Sequence, residues 1–309
     1  MSCILTVCIC TYNRYDLLEK CVDSLTKQSA SNDIFKILVA DNSPDATIAE
    51  NEKQKYQNIS NLEYLHITTP GLSNARNVGA ETCGTEYIAY IDDDAIATVD
   101  WVKGLIQGFE AFSNAEMVGG PIRPIWGKQK PSWVPKWREG FLTIIDWGEG
   151  EARQVTEHEW FAGANMAFKT EAIIKYGGFP TNLGRIGGGA TLLSNEEIDL
   201  VDSIKKNNGQ IIYAPLAKVD HLVDERRLTR EWFKKRVSWQ VVSDLLMTGK
   251  TNPSADCWTK IERYYELLEP QQRNLKAFDI KHDDPDLFHI QLEALECFLH
   301  LSFSGYGVK

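Results

Sequence analysis

Two hydrophobic periods alternate along the first hundred residues. ILTVCIC (4–10), FKILVAD (35–41), LEYLHIT (62–68) and EYIAYIDDD (86–94) are short apolar runs rich in β-branched and aromatic residues, which predicts strands. Between them, YDLLEKCVDSLTKQ sets Leu17, Leu18, Cys21, Val22 and Leu25 on one helical face. GLSNARNVGAETC predicts a second helix with Ser73 as its N-cap. Strands alternating with helices imply a mainly parallel sheet wrapped by helices. Ligands of such sheets sit beyond the carboxyl ends of the strands. Thr11, Asn13, Asp41 and the run Asp92, Asp93, Asp94 all fall at those ends.

The second half is less regular. MVGGPIRPIW, FAGANMAF and QIIYAP read as further strands, and NEEIDLVDSIKKNNG as an amphipathic helix carrying Ile198, Val201 and Ile204, with Gly209 beyond its end. GRIGGG is a glycine-rich loop, flexible enough to serve as a lid. A long helical pattern runs from Thr229 past Leu246, and two more helical segments follow GKTNPSAD.

Composition narrows the class. The chain has 309 residues, 43% hydrophobic and 25% charged, a globular balance with room for one large domain or two modest ones. A net charge of −10 argues against nucleic acid as a partner. The apolar run at the N-terminus reads as a first buried strand rather than a signal peptide. No apolar stretch reaches the length of a membrane span. Seven cysteines without a CxxC pair suit reduced, structural thiols and predict a cytoplasmic protein.

The chemistry lies in eight stretches: CTYNR, VADNS, GLSNARNVG, YIDDDA, FAGANMAF, GGFP, NEEIDL and YAPLAKVDH. Each alone is weak. In this order and spacing, from residue 4 to about 240, the chain resembles the family 2 glycosyltransferases. The resemblance implies a GT-A fold: an α/β, Rossmann-like, mainly parallel mixed sheet flanked by helices, here with a C-terminal helical extension. It implies a catalytic domain over 1–248, with 1–120 as nucleotide-binding half and 121–248 as acceptor-binding half. Residues 249–309 form the extension, outside the resemblance.

The resemblance also implies roles. Asp94 ligates Mn²⁺ or Mg²⁺, hard cations that prefer carboxylate oxygens. Asp92 would share its side if the strand continues, and Asp93 would face the other way. Which of the two reaches the ribose stays open, and a solvated acidic turn is the plain alternative. His221, after a strand pattern, is a further metal ligand. Asp41 accepts from a nucleobase such as uracil, or only anchors an Asx turn in DNSPD. Thr11, Tyr12, Arg14 and Arg76 belong to the nucleotide site. Glu197 is the general base, with Glu196 as substitute; alternatively Ser194 and Glu197 form a capping box. Apart from the resemblance, the segment ERRLTREWFKKR is locally basic: Arg226 or Arg227 would neutralise the diphosphate, or the basic helix face would touch a membrane surface from the cytoplasmic side, or it is simply solvated. Trp133, Trp137 and Trp160 form a platform for sugar rings, or pack in the core.

The activity implied is an inverting, metal-dependent transfer from a nucleotide sugar, with UDP favoured. The acceptor is a saccharide or lipid-linked hydroxyl, in polysaccharide or glycolipid assembly. The alternatives are a sugar-nucleotide-binding scaffold without turnover and a nucleotidyltransferase. The latter needs a first loop rich in glycine and lysine, which CTYNRYD is not.

Overall fold

The computed structural model describes residues 3–185, 187, 191–250 and 253–304. In chain order its elements are β1 (Leu5–Thr11), α1 (Tyr15–Thr26), β2 (Phe35–Asp41), α2 (Ala46–Lys55), β3 (Leu62–His66), α3 (Leu72–Thr82), β4 (Tyr87–Asp92), β5 (Ala95–Ala97), α4 (Trp101–Ala111), β6 (Ala115–Gly119) and β7 (Ile122–Trp126). There follow β8 (Arg153–Gln154), β9 (Met166–Lys169), α5 (Thr170–Lys175), α6 (Glu196–Lys206), β10 (Gln210–Tyr213), β11 (Val219–Val223), α7 (Arg230–Thr248), α8 (Cys257–Glu266) and α9 (Pro285–Phe303).

The main sheet has the order β3-β2-β1-β4-β9-β6-β10-β8. Strand β1 runs parallel to both β2 and β4, and β2 parallel to β3. β9 is antiparallel to β4 and β6, so the sheet is mixed, as expected. Residues of β1 are buried throughout, as a parallel strand covered on both faces requires. Alternation divides them between two cores. Leu5, Val7 and Ile9 join Leu18, Val22, Trp101 and Leu105 on one face. Cys8 and Cys10 join Ala75, Ala80, Leu200 and Ile204 on the other.

Register brings the polar strand ends abreast. Thr11 lies beside Asp41, Asp41 beside His66, and Cys10 beside Asp92. A smaller sheet, β5-β11-β7, sets His221 opposite Ala95, one residue after the aspartate run.

Three local expectations change. MVGGPIRPIW forms two strands, β6 and β7, separated at Gly120. There a Cβ would lie 1.9 Å from the Ala217 carbonyl oxygen. Ser73 does not cap α3: Gly71 holds that position at φ 129°, and the Ser73 hydroxyl donates to the Leu183 carbonyl. Of the GRIGGG loop, Ile186, Gly188 and Gly189 lie outside the described residues.

The chain divides into two compact units: residues 1–125, 143–190 and 196–222, and residues 126–142, 191–195 and 223–309. In this division α7 falls in the second unit. Helix α7 packs with α9, and α8 with α9, so α7 joins the C-terminal helices. The Thr229 hydroxyl accepts from Trp232 N–H at the start of α7, and Gly249 ends it in the left-handed conformation. In the same unit Tyr264, fully buried, donates to the Ala277 carbonyl, and Gln291 N–H donates to the Tyr264 oxygen. Among the described residues no helix is long and apolar enough to cross a membrane.

Candidate active site

The aspartate run divides its work. β4 ends at Asp92, the chain turns through Asp93 and Asp94, and β5 begins at Ala95. Asp92, Asp94 and His221 each offer a ligand atom, and these atoms lie within 4.8 Å of one another. His221 Nε2 is 3.3 Å from Asp94 Oδ1. Two carboxylates and an imidazole make a donor set of hard oxygens and one nitrogen that suits Mn²⁺ or Mg²⁺. Among the described residues three ligands come from the chain, fewer than such a cation takes, which leaves room for oxygens of a substrate.

Asp93 takes the opposite course. It is fully buried and accepts from the Thr11 hydroxyl at 2.7 Å and from Arg14 Nε at 3.1 Å. Arg14 also pairs with Asp94, donating at 2.7 Å. Burial raises the Asp93 carboxyl to about 7, against the pull of Arg14. Asp93 therefore anchors the first loop, whereas Asp92 stays partly exposed. Thr11 is likewise buried on Asp93, while Tyr12 stays partly exposed beside it.

Asp41 is also fully buried. One oxygen accepts from the N–H and hydroxyl of Ser43, the other from Tyr15 at 3.2 Å and Tyr64 at 2.6 Å. The Ser43 N–H bond is the Asx turn weighed from the sequence. A nucleobase reaches Asp41 only where one of these donors gives way.

Arg76 is buried at 2% exposure rather than presented to solvent. Its Nη1 donates to Glu196 Oε1 at 2.9 Å, and its Nη2 lies 3.7 Å from Asp92 Oδ1. Glu196 is thus engaged through Oε1, while Glu197 Oε2 is shielded from solvent and has no hydrogen-bond partner among the described residues. Burial and the Glu196 charge push the Glu197 carboxyl up to about 8, with Arg76 opposing. The capping box does not form, because Ser194 N–H donates to the Ser243 hydroxyl at 3.1 Å. Asn195, with φ 79°, immediately precedes the helix.

The remaining candidates fall elsewhere. Trp133 belongs to the second unit, where its ring meets Phe233 and Phe288 edge-on and carries the Arg230 guanidinium 4.5 Å above it. It is a packing element there, not an open platform. Trp137, also of the second unit, is 72% exposed. Trp160, in the first unit, is 39% exposed, and its carbonyl accepts from Trp147 Nε1. Arg226 pairs with Asp224, and Arg227 donates to the Phe141 carbonyl and lies over Trp232, all within the second unit.

Sequence reasoning missed Tyr15 and Tyr64 as partners of Asp41, and it missed Gly163. A Cβ on Gly163 would lie 1.8 Å from Arg76 Nη2. The glycine of FAGAN is thus the room that the guanidinium occupies, a role no local pattern announces.

The sequence pattern described as "Glycosyl transferase family 2" matches residues 6–177. The chain belongs to that family. It is 27% identical to the glucosyl-dolichyl phosphate glucuronosyltransferase of Haloferax volcanii, over 98% of this chain and 94% of that one. It is 27% identical to the succinoglycan biosynthesis protein ExoM of Rhizobium meliloti, over 74% and 70%. The crystal structure of GalNAc-T7 with UDP, GalNAc and Mn²⁺ matches at a TM-score of 0.57 and 15% identity, over 93% of this chain but only 56% of that one. At that identity the likeness carries the fold alone, and the fold is GT-A. This family 2 member is therefore a glycosyltransferase with a mixed sheet and its polar strand ends in register.

Proposed function

We propose that this glycosyltransferase transfers a sugar, with inversion, from a nucleoside diphosphate sugar to a hydroxyl of a saccharide or lipid-linked acceptor. The setting is glycolipid or polysaccharide assembly, as the names of the two relatives suggest. UDP, present in the matched crystal structure, is the first donor nucleotide to test. The observation that supports the reading best is the convergence of Asp92, Asp94 and His221, with Arg76 lying between Asp92 and the Glu196 carboxylate that precedes Glu197.

A divalent cation held by Asp92, Asp94 and His221 would supply positive charge to the diphosphate as it leaves. Arg14, paired with Asp94, keeps that carboxylate oriented. Glu197, once ionised, takes the proton of the acceptor hydroxyl as its oxygen attacks the anomeric carbon. A carboxyl with raised pKa is a stronger base than an ordinary one and is matched to near-neutral working pH. Attack from the face opposite the leaving diphosphate inverts the anomeric centre.

A thermal-shift screen of nucleotide sugars with and without Mn²⁺ tests the donor class, since a ligand that binds the native state raises its melting temperature. Stabilisation that requires Mn²⁺, together with release of nucleoside diphosphate, supports the reading. Mn²⁺-dependent binding without turnover, across donors and acceptors, would instead support the scaffold alternative.

A further inference from the structure

We propose that Arg76 is a positioning residue: it holds the Glu196 carboxylate and thereby selects Glu197 as the group that accepts a proton, and it is not itself a contact of the nucleotide. This rests on the reading of Glu197 as base.

The guanidinium sits in a fitted slot. Phe179 lies beneath it, with the ring centroid 5.5 Å from Cζ. Gly163 closes the slot so tightly that no Cβ fits. The Arg76 carbonyl accepts from the Tyr90 hydroxyl at 2.9 Å, which fixes the helix that carries it. Swinging out to a ligand would leave Glu196 buried without its partner, a costly state.

Glu196 and Glu197 are sequence neighbours, and each has an Oε2 shielded from solvent with no hydrogen-bond partner among the described residues. Two such carboxylates repel, and one cation cannot satisfy both. Arg76 bonds directly to Glu196 at 2.9 Å, so the nearest cation is committed to that carboxylate and attracts its neighbour only from farther away. Were Arg76 paired with Glu197 instead, Glu197 would be the stronger acid and the poorer base.

Among the described residues, Glu196 and Arg76 are the charged groups that act most on Glu197. Glu196 and Asp199 lie on α6 itself, Arg76 comes from α3, and Asp92 of β4 lies beyond Arg76. β10, packed against α6, brings Ile211 and Tyr213.

The test uses the full chain without metal or substrate. Glu197→Gln is compared with its parent by chemical denaturation across pH. The stability gained grows with pH and levels off at the native pKa of Glu197. In an Arg76→Met background the levelling-off is expected to move up by about one unit or more, because an attracting cation is gone. In a Glu196→Gln background it moves down, because a repelling charge is gone while the bond from Arg76 survives. Opposite shifts support the proposal; a purely structural arginine would lower stability without moving either midpoint. If Arg76→Met does not fold, Glu196→Gln decides alone, and an unmoved midpoint overturns the proposal.

Calorimetry with UDP and Mn²⁺ closes the question. Affinity of Arg76→Lys within about threefold of wild type supports positioning, and a loss of about tenfold or more marks a nucleotide contact and overturns it. Transfer retained by Glu197→Gln would instead remove the base reading, whatever the midpoints show.

Discussion

Glutamine at position 197 is expected to make the protein more stable and less active. An ordinary glutamate carboxyl titrates at 4.5, and Glu197 is raised to about 8 in the native chain. Below pH 4.5 both states are protonated and the substitution changes little. Above it the unfolded chain ionises while the native carboxyl keeps its proton, so native stability falls as pH rises. Each unit corresponds to about 1.4 kcal/mol. The loss grows until pH passes about 8, where both states are ionised and the penalty is complete. At pH 7 the penalty that glutamine removes is therefore at most about 3 kcal/mol. For a domain of this size that is several degrees in melting temperature.

The assay is urea unfolding of both chains at pH 5 and pH 8, without metal. A gain much larger at pH 8 is the expected result. An equal gain at both pH values, or a loss at pH 8, would refute a Glu197 that holds its proton in the native chain. The same variant is expected to lose about a hundredfold or more in transfer to a genuine acceptor.

Three further outcomes are expected. Asp94→Ala should abolish the Mn²⁺-dependent part of UDP binding while circular dichroism stays native; unchanged Mn²⁺ dependence would sink the metal assignment. Asp41→Asn should cost about 1–3 kcal/mol in urea unfolding, because an amide N–H₂ must face donors from Ser43, Tyr15 or Tyr64; neutrality would mean those bonds are weak. Trp133→Ala should cost about 2–4 kcal/mol, because the ring packs against Phe233 and Phe288; a stable variant with weakened binding of acceptor saccharides would restore the platform role.

The layout of the first half was legible because its signals are local. Unbroken apolar runs such as ILTVCIC have the length of buried parallel strands, and each ends in a polar residue. Side chains on either side of a turn can still converge, and Asp92 and Asp94 do so although β4 stops between them. What stayed hidden depends on partners distant in the chain. Tyr64 reaches Asp41 only because β3 lies beside β2. Ser243 takes the N–H that a capping box would have used, from the far side of a helix boundary no pattern marks. The packing of α7 stayed hidden for a related reason: a helix belongs to the elements its apolar face packs on, and α9 comes some forty residues later.

Gly163 carries a consequence for how related chains can diverge. Its missing side chain is the space into which Arg76 fits, so the two positions are free to change only together. A mutational path that adds a methyl group at 163 first passes through a chain whose arginine is displaced and whose acid pair has lost its cation. A path that shortens Arg76 first opens a void that a larger residue at 163 can then fill. Substitutions at the two sites are therefore expected to be ordered in descent, with the arginine lost before the glycine, and alanine at 163 beside an intact arginine at 76 is expected to be the rarest of the four combinations.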